Sequence, residues 1–571
     1  MSEPISIRRA FAGKHVLLTG ASGFVGKVWL TLMLDRVPEI GRIYVLLRSK
    51  ALLSARERFE KMVNTSPAFR PLHERLGPAF SSFLADRVEV IEGELGADDL
   101  GLEPAALARL RRDVDLVVHC AGLVDFNPDL RKALSTNVEG TMRVADFVES
   151  SERAALLHIS TCYVAGRRSG VIAERAHPEY SPLGGELDAA AEMRAAFTAC
   201  EELCARHESQ QHAEAVRTEV AAMVRGRRTG DRARLIANLA RRRLREEQKQ
   251  ALVDEGMARA QRLGWPNTYT YSKSLAESLL LRRKGLRLAI LRPSIVESAL
   301  EYPFPGWNES FNGSAPLAYV MGSWFRMIPA KPDAPFDVIP VDEVCKAMSI
   351  AGAALLLGRH SPVYHVGSSD LHRCSVGRAA ELIVLAHRRH FRQLGNERNE
   401  RIFKSRWDAV LVEPDTVFGV GRNRALLDGA REAIGLLPDK IERKAKRMRD
   451  RLDRADKKLA QIEEMIRLYL PFMYESFYVF QALALPSTPA LEPELRFAPE
   501  RIDWRKYWIE VHVPGLRRWA FPLIEGKRPE RYRPDHPVRL PPALPALRVP
   551  TAEGVPKGAH EMSADAASAE D

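Results

Sequence analysis

The stretch Thr19-Gly20-Ala21-Ser22-Gly23-Phe24-Val25-Gly26 restricts the fold of this chain more than any other. It follows an apolar run at 14–19 (KHVLLT) and leads into a helical pattern from Gly26 to Leu34. A glycine turn between a strand and a helix lets backbone N–H groups approach a pyrophosphate, and it sets the helix N-terminus against that charge. The spacing of Gly20, Gly23 and Gly26 is weak evidence alone, because glycine-rich turns also serve structure only. Its position at the first strand-to-helix turn makes it a dinucleotide site. Thr19, Gly20, Ser22, Gly23, Phe24, Val25 and Gly26 are its expected cofactor contacts.

Further short β-branched runs alternate with helical patterns. They lie at 42–47 (RIYVLL), 87–91 (RVEVI), 115–119 (DLVVH), 155–160 (ALLHIS) and 287–292 (RLAILR). Such alternation predicts an α/β fold, a doubly wound parallel sheet of the Rossmann type with helices on both faces. Residues 185–262 interrupt it with a charged, Ala- and Arg-rich helical insertion, read as a solvated layer, a lid or a docking surface. A second mixed-charge helix is expected at 439–466. Beyond residue 526 the chain turns Pro-rich, then small and acidic, the composition of a disordered tail. The expected division is 1–375, a mainly helical 376–525, and the tail 526–571.

The net charge of +11 fits a basic enzyme, or attraction to polyanions or an anionic membrane surface. No nucleic-acid partner is expected. The six cysteines form no disulfide framework, which suits a reducing compartment. Cys200 and Cys204 lack a second ligand pair, and His387 and His390 flank two arginines, so no metal site is expected. The N-terminus carries no apolar signal core. Leu468 to Leu485, the most apolar stretch, contains Pro471 and Glu475 and reads as a substrate wall or interfacial segment rather than a span.

The end of the second strand discriminates between cofactors. A carboxylate there binds a ribose 2′-hydroxyl, whereas arginine receives a 2′-phosphate. The sequence has Arg48, with no acid beside it, which favours NADPH. Carbonyl reduction also needs a proton donor. Tyr269 and Lys273 stand four apart in NTYTYSK, on one helical face. An ammonium beside a phenol lowers its pKa, and moving it from about 10 towards 7 takes about 4 kcal/mol. Tyr271 falls off that face and is read as packing. A strand-end hydroxyl should complete the set, from Ser160 or Thr161. His158 has no assigned role.

On these residues the chain resembles the extended short-chain dehydrogenase/reductases, and within them the fatty acyl-CoA reductases, the male sterility family. The resemblance rests on TGASGFVGK (19–27), CAGLVDFN (120–127), NVEGT (137–141), HISTCYV (158–164) and PNTYTYSKSLAE (266–277). RPSIVESALEYPFPGW (292–307), FDVIPVD (336–342), VYHVGSS (363–369) and YWIEVHVPGLRRW (507–519) carry it further. It implies Tyr269 as proton donor, Lys273 as its electrostatic partner and ribose ligand, and Thr161 as the hydroxyl polarising the carbonyl. It also implies Ala121 and Gly122 along the nucleotide, Pro293 and Ile295 at the nicotinamide, and Asn137 as support. Glu94 stands where relatives commonly have Asp on the adenine side.

The implied reaction is hydride transfer from NADPH to the thioester of an acyl-CoA or acyl-carrier protein. The hemithioacetal then expels thiol, and the aldehyde is reduced again to a primary alcohol. The implied location is cytoplasmic, or peripheral to a membrane. Competing readings are a sugar-nucleotide or sterol oxidoreductase or epimerase, a non-catalytic nucleotide-sensing or scaffold protein, and the terminal reductase of a carrier-protein synthetase. The last would come with adenylation and carrier domains, which this sequence lacks. The aromatic run FMYESFYVF (472–480) suits an acyl chain better than a sugar.

Overall fold

The computed structural model describes residues 3–50, 52–224, 231–309, 311–323, 327–395, 408–414, 428–430, 432 and 442–541. Seven parallel strands form its centre: β1 (His15–Thr19), β2 (Arg42–Leu47), β3 (Val88–Glu92), β4 (Leu116–His119), β5 (Ala155–Ile159), β6 (Leu288–Pro293) and β7 (Val363–Val366). Their order is β7-β6-β5-β4-β1-β2-β3. The first six match the expected runs to within a residue or so at each end. The seventh, only four residues long, was not read as a strand from the sequence.

Successive residues of β1 face opposite layers, as a strand's period of two requires. Val16 and Leu18 join the larger core, and Leu17 joins the other. Helix α1 (Phe24–Arg36) packs into the larger core and starts two residues earlier than its apolar pattern suggested. The insertion forms α2 (Ala189–Glu208), α3 (Gln210–Met223) and α4 (Arg232–Arg262), with residues 225–230 outside the described set. This layer packs on α5 (Thr268–Leu281), burying Cys200, Cys204, Leu252 and Ala260 with Tyr271 and Trp265. Helix α6 (Val341–Leu356) is buried almost all round. Its Asp342 accepts the backbone N–H groups of Leu300, Glu301 and Tyr302 at 2.8, 2.8 and 3.1 Å, which fixes the chain beyond β6.

The C-terminal region is mainly helical, with α7 (Val376–Gln393) and α8 (Glu442–Leu470). It shares the larger core: Trp504, Trp508 and Leu516 sit in the same cluster as Val16 and Trp29. The segment taken as the start of a disordered tail is partly docked. Val538 is buried, and its backbone exchanges hydrogen bonds with the Asn64 side chain at 2.7 and 2.9 Å. Apolar Val538 and Leu540 give that stretch something to bury, which its proline content obscured. Residues 542–571 lie outside the described set. No described helix is long and apolar enough to cross a membrane, and no described cluster of His, Cys, Asp or Glu could hold a metal.

Candidate active site at the carboxyl edge of the sheet

The chain leaves β1 towards β2 on one side, while β4 lies on the other. That reversal opens a crevice at the carboxyl ends of β1 and β4, where open α/β sheets bind ligands. Gly20 sits there at φ +78°, and a Cβ on it would lie 2.5 Å from the Ala121 nitrogen. A Cβ on Gly26 would lie 2.4 Å from the Gly20 carbonyl oxygen. The two glycines thus allow the turn to press against the β4 loop and α1 to press against the turn. Gly23 is the N-cap of α1 and has no side chain to close its first turn. The turn therefore fits a dinucleotide diphosphate: a cradle that side chains would fill, at the start of a helix.

Ser22 and Gly23 are exposed at its rim, with Phe24 and Val25 half-buried. Thr19 is turned inward instead. Its hydroxyl meets His119 Nδ1 at 2.7 Å and accepts the Ala121 N–H at 3.3 Å, so it shapes the β4 loop from behind. At the ends of β2 and β3, Arg48 and Glu94 meet at 3.2 Å. The acid missing beside Arg48 in the sequence is therefore supplied by the neighbouring strand.

Helix α5 carries Tyr269 and Lys273. Asn267 caps it, accepting the Thr270 N–H at 2.9 Å. Tyr269 donates or accepts a side-chain hydrogen bond with Thr161, which follows β5. Thr161 also donates to the Pro293 carbonyl at 3.4 Å, linking the ends of β5 and β6. Ser160 is buried with no side-chain hydrogen-bond partner among the described residues, so Thr161 is the strand-end hydroxyl that meets the tyrosine. Tyr271 points the other way, donating to Glu192 of α2 at 2.7 Å.

Lys273 Nζ donates to the Ile159 carbonyl at 2.8 Å and lies under Gly122, where a Cβ would come within 3.3 Å of it. Burial pushes its ammonium down to about 8, against the opposing pull of Cys120 and Glu277. Tyr269 departs from expectation. Burial raises its phenol well above the usual range, and the hydrogen bond from Thr161 offsets only part of this. The reason is desolvation, which acts on Tyr269 and Lys273 alike and outweighs the assistance that a four-residue spacing suggested.

Asn137 lies in a π-helical stretch, Leu134–Glu139, and is fully buried. Its Oδ1 accepts the Leu123 N–H at 2.7 Å, and its Nδ2 donates to the Leu123 carbonyl and to Ser272 Oγ. It therefore pins the β4 loop, with Ala121 and Gly122, to α5. His158 is buried beside His119, with ring centroids 5.3 Å apart and both its ring nitrogens without a hydrogen-bond partner among the described residues.

One feature was missed in the sequence, and one was read only in part. The first is a buried clamp: Arg292 at the end of β6 grips Glu277 of α5, with Nε 3.1 and 3.0 Å from its two oxygens. An arginine inside an apolar strand, and an acid one turn beyond Lys273, were the available signals. The second is an aromatic wall. Phe126 lies 6.5 Å from the Tyr269 ring and 5.8 and 5.7 Å from Tyr469 and Phe472. Phe472 stands edge-on to Tyr163 at 4.9 Å. Strand Phe477–Phe480 runs parallel to Ser169–Ile172 and brings Phe480 to Tyr163 at 5.2 Å. The C-terminal region thus packs on Phe126, the ring that neighbours Tyr269. Ile295, half-buried after β6, packs against the same cluster.

A family model described as "Male sterility protein" matches residues 18–348. The terminal reductase domain of the myxalamid biosynthetic pathway superposes at TM-score 0.47 and 17% identity, over 87% of this chain and 89% of that one. The chain is 27% identical to the probable fatty acyl-CoA reductase 4 of Arabidopsis thaliana, over 88% of this chain and 96% of that protein. It is 28% identical to the alcohol-forming fatty acyl-CoA reductase of Simmondsia chinensis, over 90% and 99%. The human fatty acyl-CoA reductase 2 is 24% identical, over 90% and 86%. The chain belongs to the male sterility family of fatty acyl-CoA reductases, oxidoreductases whose extended Rossmann fold binds a nicotinamide dinucleotide.

Proposed function

We propose that this protein reduces long-chain acyl thioesters, of coenzyme A or of a carrier protein, with NADPH. The proposed products are the fatty aldehyde and then the primary alcohol. The observation that carries the reading is the aromatic wall of Phe126, Tyr163, Tyr469 and Phe472, whose Phe126 ring lies 6.5 Å from that of Tyr269. Such a wall favours an alkyl chain and offers a sugar few hydrogen-bond partners. The names of the relatives, alcohol-forming in one case, point the same way.

NADPH, when bound, supplies the hydride. Gly20, Gly23 and Gly26 would admit its diphosphate, Arg48 its 2′-phosphate, Lys273 its ribose, and Pro293 and Ile295 would line the nicotinamide. The chain's own groups manage the oxygen. Tyr269, protonated at neutral pH as any phenol is, gives its proton to the carbonyl oxygen as the carbon receives hydride. Thr161 turns its single hydroxyl proton from the Pro293 carbonyl to the same oxygen. The tetrahedral adduct then breaks its C–S bond, and thiol leaves with a proton. The aldehyde repeats the first step without a leaving group. No cysteine is required: burial raises the thiol of Cys120 to about 11 and pushes that of Cys162 well above its ordinary value.

The test is product analysis with a panel of long-chain acyl-CoAs and either NADPH or NADH. Fatty alcohol, with two cofactors oxidised per thioester, is expected with NADPH. No oxidation of either cofactor with any thioester would overturn the reading.

A further inference from the structure

On the outer side of the C-terminal region, α7 and the segment Asp503–Glu510 enclose a cleft of about 480 Å³. Five cations line it: Arg388, Arg389 and Arg392 from α7, and Arg505 and Lys506 from the facing segment. Arg389 is paired with Glu510 at 2.7 Å, and Arg388 with Asp408 at 2.6 Å. Asp503 is engaged as a helix cap, accepting the Lys506 N–H at 3.0 Å. Arg392, Arg505 and Lys506 are exposed and have no ion pair among the described residues.

Against the one carboxylate of the lining that has no ion pair among the described residues, Asp503, these three cations leave the concavity net positive, and such an arrangement is relieved by an anion. Guanidinium groups match phosphate oxygens in pairs, and the volume suits a phosphorylated head group. Leu385 and Ile509 also line the cleft, so the uncharged part of a ligand would meet apolar surface. The cleft is apart from the dinucleotide crevice. The inward faces of its walls, His387 of α7 and Trp508 and His512 opposite, are fully buried in the core.

We propose that this cleft binds a phosphate ester carrying at least two negative charges. Two sources share that chemistry: a free phosphorylated molecule and the head group of an anionic lipid. The proposal concerns binding alone and stands whatever the reductase assay returns.

The experiment uses the full chain and the double variant Arg392→Gln/Arg505→Gln. Both positions are exposed, so a matching thermal midpoint confirms folding of the variant. One arm titrates inorganic pyrophosphate calorimetrically. The other sediments the protein with phosphatidylcholine vesicles containing or lacking phosphatidic acid. Binding in either arm that weakens about tenfold or more in the double variant supports the site, and the arm that responds names the source. Lysine at both positions should restore most of the binding. Raising salt to about 1 M, where the Debye length is about 3 Å, should abolish it. Absence of binding in both arms, or binding equal in wild type and double variant, overturns the proposal. An acidic carrier protein whose binding alone is lost in the variant overturns it too.

Discussion

Arg48 and Glu94, from neighbouring strand ends, form an ion pair at 3.2 Å in which both side chains remain more than half exposed. An exposed pair of this kind contributes about 0.2–1 kcal/mol, little enough for a 2′-phosphate to take the arginine away. Arg48→Ala is expected to raise the KM for NADPH about tenfold or more and to leave that for NADH nearly unchanged, since charge-assisted bonds contribute about 1.5–3 kcal/mol. Glu94→Gln should lower the KM for NADPH about two- to fivefold by freeing the arginine. Steady-state kinetics with both cofactors decide the matter; equal changes for the two would remove Arg48 from the phosphate.

Tyr269 and Thr161 share a hydrogen bond, and each has a distinct task. Tyr269→Phe removes the proton donor and should lower kcat about 10²–10⁴-fold. Thr161→Val should cost a comparable factor, whereas Thr161→Ser should retain much of the activity. Cofactor affinity, followed by fluorescence titration, should stay within about twofold in Tyr269→Phe because the ring still fills its place. A phenylalanine variant with undiminished turnover would refute this assignment.

What could be read in advance was local. The glycine turn and the Tyr269–Lys273 spacing each lie within one strand-helix junction or one helix, so their geometry follows from backbone periodicity. The Arg48–Glu94 pair depends on which strands adjoin, and the Arg292–Glu277 clamp on how α5 crosses β6. Neither follows from spacing along the chain. Phe472 was legible as aromatic and apolar, but its meeting with Phe126 and Tyr163 needs the whole C-terminal region to fold back. The Tyr269 phenol was misjudged for the same reason, since its burial is collective. Strand β7 was too short to announce itself, although its segment had been noted for its resemblance to relatives.

Lys273 carries a pH dependence of known sign. Its pKa is about 8 in the folded protein against the ordinary 10.5, so the unfolded chain binds the proton more tightly. The resulting penalty, about 3 kcal/mol, is full below pH 8 and is relieved as pH rises to 10.5. Lys273→Met removes the buried charge. The variant is expected to be more stable than wild type at pH 7, by up to that amount, and nearly inactive. The difference should shrink as pH approaches 10.5. Urea unfolding of both proteins at several pH values measures it, and a pH-independent difference would contradict the assignment.

Phe472 offers a test of the wall separate from the chemistry. It is buried against Phe126 and Tyr163, so its removal opens space behind Phe126, the ring that neighbours Tyr269. Phe472→Leu, which keeps an apolar group, should cost about 1–2 kcal/mol in stability. It should raise the KM for long-chain acyl-CoA several-fold, with the KM for NADPH unaffected. If chain-length preference and KM are both unchanged, the acyl chain runs elsewhere.

Gly515 and Gly306 hold the C-terminal region against the segment that follows β6. A Cβ on Gly515 would lie 2.0 Å from the Gly306 carbonyl oxygen, and one on Gly306 would lie 2.7 Å from that of Val511. Backbone, unlike the tip of a flexible side chain, cannot yield cheaply, so Gly515→Ala must push helix Val513–Trp519 outward. Overpacking of this kind costs about 1–3 kcal/mol or more. Gly96→Ala is the control: its Cβ would meet only Glu94 Cγ at 3.9 Å, and it should be neutral or slightly stabilising. The same displacement disturbs the chain from Ala299 to Trp307, which hydrogen bonds at 3.0 and 2.9 Å close into a loop starting four residues beyond Ile295. Gly515→Ala should therefore lose activity at temperatures where the control retains it. Equal urea midpoints for the two variants would show that the glycine contact does not hold the regions together.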